Sequence, residues 1–163
     1  MKKIYNSERG FTLVELGIVF GIIALLSGFV TFNFVNVQKT TSINSVIDTL
    51  VSDMKSQQTK AMVGSGGSGV GNSYGIYFQS DRYILFTGTT YSSTNSSNFT
   101  VMLGSNIEFV NSTFPNNSLV FLRQSGELNV FIDGMNTITI QNTQGLNKKT
   151  ITVNQYGVVT KIN

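Results

Sequence analysis

The chain has 163 residues, contains neither cysteine nor histidine, and carries 11 basic and 8 acidic side chains for a net charge of +3. The absence of those two residue types excludes thiol nucleophiles, thiolate or imidazole metal sites and histidine-dependent triads. No disulfide can form either, so a domain exported to an oxidising space must be stable on packing alone. We therefore expect a protein that is not an enzyme and needs no cofactor or metal.

The N-terminus combines a short basic leader with a long apolar run. Lys2, Lys3 and Arg9 precede the run, and only Glu8 opposes their charge. Residues 16–38 then form 23 consecutive uncharged positions. Because about 20 apolar residues span a bilayer, this run predicts a single membrane-spanning helix. The positive-inside rule predicts a single-pass protein of the cytoplasmic (inner) membrane, with its N-terminus in the cytoplasm and its C-terminal domain periplasmic or extracellular.

One acidic residue, Glu15, lies at the start of this apolar run. A charged side chain in the centre of a bilayer costs about 3 kcal/mol, so a carboxylate there needs a cation or hydrogen-bond donors. A cut after Gly10 would make Phe11 the new N-terminus, and the amine of a neighbouring subunit could then pair with Glu15. That pairing would set the axial register between subunits. The alternative is a glutamate tolerated at the headgroup level of an ordinary anchor.

The segment Arg9-Gly10-Phe11-Thr12-Leu13-Val14-Glu15 resembles the N-terminus of type IV pilins and type II secretion pseudopilins. The resemblance implies that a prepilin peptidase cuts between Gly10 and Phe11 and N-methylates Phe11. It also implies that Glu15 acts in subunit packing, and that the cleaved chain joins other pilin or pseudopilin subunits on an inner-membrane assembly platform. Many members of this superfamily have a helix-kinking proline in the apolar run, which this chain lacks.

Beyond Lys39 the chain becomes polar but keeps a helical period. An apolar stripe with the i, i+4, i+7, i+11 spacing of one helix face is formed by Ile43, Ile47, Leu50 and Met54. We expect this stripe to cover the chain's own β-sheet, as such stripes usually do. No proline interrupts the stretch and Gly64 should end it, which predicts one helix from Phe11 to Val63, about 80 Å long.

The remaining residues, 64–163, show short strand patterns separated by turns. Strands are predicted at 74–79 and 82–87 around Ser80-Asp81, and then at 99–103, 107–110 and 119–122. Two more hairpins are predicted, one joining 128–132 to 137–140 through Asp133-Gly134 and one joining 150–153 to 158–162. The expected fold is α+β: a long N-terminal helix, membrane-spanning in its first half and amphipathic in its second, packed on a C-terminal antiparallel β-sheet domain, as in the pilin fold.

These patterns divide the chain into a leader at 1–10, a transmembrane or filament-core helix at 11–38, an amphipathic half-helix at 39–63 and a β domain at 64–163. The connector between helix and sheet is rich in Gly and Ser and should be flexible. The pair Tyr74-Gly75-Ile76-Tyr77-Phe78 and Tyr83-Ile84-Leu85-Phe86 resembles the first hairpin of H-type minor pseudopilins and their minor-pilin relatives, the GspH/FimT group. That second resemblance favours a minor subunit over a major one.

Two weaker signals concern ligands. Lys148, Lys149 and Lys161 lie on or beside the last predicted hairpin and could contact DNA, although the simpler interpretation is a solvated hairpin that resists edge pairing. Asp133 in its turn offers one carboxylate, far short of the roughly six to eight oxygens that calcium takes, so no metal site is predicted.

The chain is thus expected to be a non-enzymatic minor pilin or pseudopilin of a type IV pilus or a type II secretion filament. Two alternatives stay open at this point. One is a DNA-uptake or adhesive module carried on a pilin stalk. The other is a single-span membrane protein that is never cleaved.

Overall fold

The computed structural model describes residues 10–64, 72–144 and 147–163, and within the helix it leaves the side chains of residues 28–42 undescribed. Most of the predicted leader and of the Gly/Ser connector therefore lies outside the described residues. The chain divides into two compact units, Met1–Gln38 and Lys39–Asn163.

Helix α1 is assigned from Leu13 to Val63, with its side chains described in two stretches, residues 13–27 and 43–63. In the second stretch the predicted stripe is confirmed as buried, because Ile43, Ile47, Leu50 and Met54 are each at most 3% exposed. The predicted end is also confirmed. Gly64 has φ of 69°, the left-handed conformation that stops a helix at little cost for glycine.

Eight strands form two antiparallel sheets of four strands each in the described part of the chain. In spatial order, the first sheet contains β3 (Phe99–Met102), β2 (Arg82–Thr87), β1 (Tyr74–Phe78) and β5 (Ser118–Phe121). The second sheet contains β4 (Ile107–Ser112), β6 (Thr137–Asn142), β7 (Lys148–Val153) and β8 (Val159–Ile162). A short 3-10 turn at Pro115–Asn117 leads into β5.

The expected fold, with one long helix packed on a single sheet, is wrong. After β3 the chain turns through Gly104 and Asn106, which have φ of 88° and 68°, and β4 then pairs with β6 in the second sheet. Strand β5 returns to the first sheet beside β1. The buried faces of both sheets join the stripe of α1 in one hydrophobic core. Short strands that all alternate in the same way do not specify their partners, so the sequence pattern could not separate one sheet from two.

The β1–β2 and β7–β8 hairpins are confirmed, but the hairpin predicted at Asp133-Gly134 is wrong. Leu128 makes a single bridge to Phe121, and residues 129–136 continue as an irregular segment. Strand β6 pairs instead with β4 and β7. Val130 and Ile132, which looked like strand residues, are 52% and 44% exposed. They lack the packing contacts within a sheet that stabilise a strand.

The predicted transmembrane helix is wrong, and with it the single-pass membrane topology. Among the described residues, no helix is both long and apolar enough to cross a membrane. The prediction relied on residues 28–38, whose side chains lie outside the described part of the helix.

Two adjacent glutamines fasten the second stretch of α1 to the β structure. Gln57 is 2% exposed, and its Nε2 donates to the carbonyl oxygens of Gly75 at 2.9 Å and Phe86 at 3.4 Å. Nε2 of Gln58 donates to the carbonyl oxygens of Gly126 at 2.8 Å and Tyr156 at 2.6 Å. The bonds of Gln57 satisfy buried carbonyl groups, and the four bonds together fix the rotation of the helix about its axis.

Candidate functional site

The predicted cleavage site lies just before α1 begins. Gly10 belongs to no helix or strand, and Phe11 is 87% exposed. A Cβ added at Gly10 would meet nothing within 4 Å, so no described neighbour requires glycine there. A requirement for a small residue at this position would therefore have to come from a molecule that binds the segment.

Thr12 and Glu15 form a reciprocal capping box at the start of α1. The Thr12 N–H and hydroxyl each donate to Oε2 of Glu15 at 2.9 Å, and the Glu15 N–H donates back to the Thr12 hydroxyl at 3.2 Å. The hydrogen bonds from the Thr12 backbone and side chain hold the pKa of Glu15 below its usual range. This box was not predicted, although a threonine followed three residues later by a glutamate is its known signature.

The capping box gives the Glu15 carboxylate a role within its own chain that was not predicted from the sequence. Its carboxylate already has donors within its own chain, so it is not an unpaired charge in the isolated subunit. Both of those bonds go to Oε2, and Oε1 receives no hydrogen bond from any described residue. One carboxylate oxygen is therefore available to a cation from another molecule.

Residues 11–26, which include the first turns of α1, are apolar. Their large side chains are 46% to 88% exposed, and they are Phe11, Leu13, Val14, Leu16, Ile18, Val19, Phe20, Ile22, Ile23, Leu25 and Leu26. Gly17 and Gly21 lie one turn apart in this stretch, and a Cβ at either would meet nothing within 4 Å. Glycine weakens a helix by about 1 kcal/mol relative to alanine. Nothing within the described chain explains why two glycines are used here.

The three predicted DNA-contacting lysines do not form one patch. Lys148 lies opposite Gln141 on the outward face of the second sheet, whereas Lys149 lies opposite Ile140 on the face that carries the core. Lys161 lies opposite Thr152 on the outward face. Thr152 is four residues along β7 from Lys148, a separation of about 13 Å. Asp133 lies in the exposed segment before β6, and no cluster of possible metal ligands occurs among the described residues.

A second polar arrangement lies beside α1 in the unit formed by residues 39–163. The Tyr83 hydroxyl, on a side chain only 1% exposed, donates to Oδ2 of Asp53 at 2.6 Å. Burial, and then the hydrogen bond and charge of Asp53, raise the pKa of Tyr83 far above its usual range. A groove of about 350 Å³ adjoins Asp53 and is bounded by one flank of α1 and by β1, β2 and the start of β3. The sequence analysis did not single out either residue of this pair as a site.

The chain matches no protein-family model, no curated protein and no solved structure. The resemblance to pilins therefore rests on the segment from Arg9 to Glu15 and on the first hairpin of the β domain. Any function has to be argued from the chemistry of the described residues, beginning with the N-terminal segment.

Proposed function

We propose that this chain is a non-enzymatic structural subunit of a type IV pilus or type II secretion filament, with the strand pattern favouring a minor subunit. A prepilin peptidase cuts between Gly10 and Phe11 and methylates the new amine of Phe11. The cleaved subunit then joins other pilin or pseudopilin subunits through the helical stretch that follows, with the help of an assembly platform.

The observation that carries the proposal is the exposed apolar stretch of residues 11–26, which includes the start of α1 at Leu13. Apolar surface gains about 25 cal/mol for each Å² that is removed from water, so a surface this apolar is stable only when something covers it. Gly17 and Gly21 form a G-x-x-x-G spacing that allows two helix backbones to approach closely. The same stretch of a neighbouring copy offers a matching glycine pair and matching apolar side chains.

Glu15 gives such an association its register. Its Oε1 is free of hydrogen bonds from the described residues, and the amine of a cleaved Phe11 carries a positive charge that fits it. When neighbouring helices pack closely and exclude water, a register that leaves either charge unpaired becomes costly. The capping box holds the carboxylate in place before the neighbour arrives, which lowers the entropy lost on pairing.

Processing by prepilin peptidase is the first experiment. The full chain is produced with and without the peptidase, and its intact mass is measured together with the N-terminal sequence. We expect a chain that begins at methylated Phe11 only when the peptidase is present. A Gly10→Leu variant should stay uncut, and a Gly21→Leu variant, whose substitution is beyond the cut, should be cut normally. Efficient processing of Gly10→Leu would overturn the assigned cut site.

The subunit class is tested by abundance. In filaments sheared from cells, a minor subunit is present at a small fraction of the major subunit, whereas a major subunit accounts for most of the mass. DNA uptake is not favoured as a second function, because Lys148, Lys149 and Lys161 lie on two faces of the second sheet.

A further inference from the structure

One flank of α1 carries a groove with one acidic and one basic side chain. Asp53, Ser56 and Lys60 line it from the helix, and Phe99 lines it from β3. Oδ2 of Asp53 accepts a hydrogen bond from Tyr83, but Oδ1 receives no hydrogen bond from any described residue. Lys60 makes no ion pair in the described part of the chain. The seven residues between Asp53 and Lys60 correspond to about 10 Å along the helix axis.

The opposite flank of the same helix carries a turn with the complementary charges. At 100° per residue, Gln58 is on the other side of the buried Gln57 from Asp53, Ser56 and Lys60. Gln58 holds the turn through the Gly126 carbonyl.

The turn itself is closed by two backbone hydrogen bonds. The Leu122 N–H donates to Glu127 O at 2.8 Å, and the Gly126 N–H donates to Leu122 O at 2.9 Å. Arg123 and Glu127 are exposed on this turn, and neither has an ion-pair partner among the described residues.

We propose that the turn of residues 122–127 in one copy of this chain docks in the Asp53–Lys60 groove of the next copy. Arg123 binds Oδ1 of Asp53, and Glu127 binds the ammonium group of Lys60. This inference rests on the proposed function, since it names a contact between subunits of the filament. Because the turn and the groove lie on opposite flanks of α1, the contact is head to tail: it repeats from copy to copy into a filament, or into a ring if the rotation closes.

Two features of the groove favour this occupant. Tyr83 holds the Asp53 carboxylate in one position, so little side-chain freedom is lost when a cation binds there. Phe99 also lines the groove and is 64% exposed, so its ring is accessible to a guanidinium group. The groove volume of about 350 Å³ lies within the range that holds a bound molecule of side-chain size.

Cysteine cross-linking tests the contact directly, because the chain contains no cysteine of its own. Ser56 lines the groove and Ser125 lies on the turn, and both are exposed. A full-length chain carrying both Ser56→Cys and Ser125→Cys should give a ladder of cross-linked multimers under mild oxidation. A mixture of the two single variants should stop at dimers that contain one copy of each. Ser93→Cys with Ser125→Cys is the control, since Ser93 is exposed but lies outside the groove, and it should give no ladder.

Charge exchange tests whether the named residues make the contact. Lys60→Glu alone or Glu127→Lys alone should lower the cross-linking yield about threefold. The variant that carries both exchanges restores opposite charges and should recover the yield. Both residues are exposed, so the substitutions should leave the fold intact. An unchanged yield in the single variants, or no recovery in the double variant, would overturn the assignment.

The same samples distinguish a failure of this contact from a failure of the proposed function. Filaments that contain the subunit but give no link between positions 56 and 125 would overturn the docking and leave the proposed function standing. A ladder from a chain that prepilin peptidase never cuts would support the contact and overturn the filament pathway. Dimers formed by Ser56→Cys alone would indicate a symmetric contact and would also overturn the docking.

Discussion

The backbone N–H of Thr12 donates to the Glu15 carboxylate at 2.9 Å, and the N–H of Glu15 donates back to the Thr12 hydroxyl at 3.2 Å. This exchange gives Glu15 a role within its own chain, because it satisfies donors that the first turn of a helix leaves open. It also places a carboxylate near the positive end of the helix, where a negative charge is favoured. An intersubunit role for Glu15 must therefore be separated from its capping role by experiment.

Two substitutions at Glu15 distinguish its capping role from its intersubunit role. Glu15→Ala removes both the charge and the cap, whereas Glu15→Gln keeps a side chain that can complete a capping box. We expect prepilin peptidase to cut both variants normally, and we expect both to be incorporated poorly into filaments, because neither offers a charge to the Phe11 amine. Incorporation is measured in sheared filaments against the wild type. Normal incorporation of Glu15→Gln would show that the cap, and not the charge, is what assembly needs.

The glycine pair gives a second prediction. Gly17→Leu and Gly21→Leu should each lower incorporation several-fold, because a side chain at either position keeps neighbouring helix backbones apart. Neither substitution should strain the isolated chain, since a Cβ at these positions meets nothing within 4 Å. Ile18→Leu in the same stretch is the volume-matched control and should assemble normally. Equal incorporation of all three variants would count against close helix packing.

The buried hydroxyl of Tyr83 gives a prediction about stability. Tyr83→Phe should lower the free energy of unfolding by about 1 to 2 kcal/mol, because Asp53 loses its hydrogen-bond donor. Tyr77→Phe is the matched control. Its ring stacks on Tyr91 and needs no hydroxyl for that contact, so it should change stability by less than about 0.5 kcal/mol. Urea unfolding of the full chain measures both, and equal effects would contradict the role given to the Tyr83–Asp53 bond.

The raised pKa of Tyr83 adds a pH dependence to that comparison. A group whose pKa is higher in the folded chain stabilises the fold fully below its unfolded pKa, and the effect is lost as the pH rises above that value. The unfolded pKa of tyrosine is about 10. The stability advantage of the wild type over Tyr83→Phe should therefore be constant from pH 7 to 9 and shrink above about pH 10. An advantage that stays constant to pH 11 would show that Tyr83 ionises alike in both states.

Substitutions at two glycines distinguish the cost of a steric contact from the cost of backbone strain. Gly157 and Gly134 both have positive φ, at 73° and 79°. A Cβ at Gly157 would approach Phe121 Cε1 to 2.5 Å, whereas one at Gly134 would meet nothing within 4 Å. Gly157→Ala should therefore cost about 1 to 3 kcal/mol more than Gly134→Ala in the same unfolding measurement. Similar costs would mean that strain in φ dominates at both positions.

The sequence predicted those features that depend on neighbours along the chain. The stripe from Ile43 to Met54 and the stop at Gly64 follow from helical spacing and from glycine's freedom of φ. The β1–β2 hairpin follows from its short turn, which fixes the pairing of Phe78 with Tyr83.

Features that depend on residues far apart in the sequence could not be predicted in the same way. Strand β4 alternates like its neighbours yet pairs in another sheet, and residues 128–132 have a strand pattern but no partner strand beyond Leu128. The Asp53–Tyr83 bond joins residues 30 positions apart, and neither residue alone suggests it. In the candidate site, the Thr12–Glu15 box was readable from its spacing.

Intact mass with N-terminal fragmentation, on the chain isolated from cells that contain a functional prepilin peptidase, tests the central claim most directly. We predict a chain that begins at Phe11 and carries one methyl group on its amine. A chain that still carries Met1 to Gly10 would contradict it, because neither the exposed apolar stretch nor the register role of Glu15 would then belong to a cleaved filament subunit.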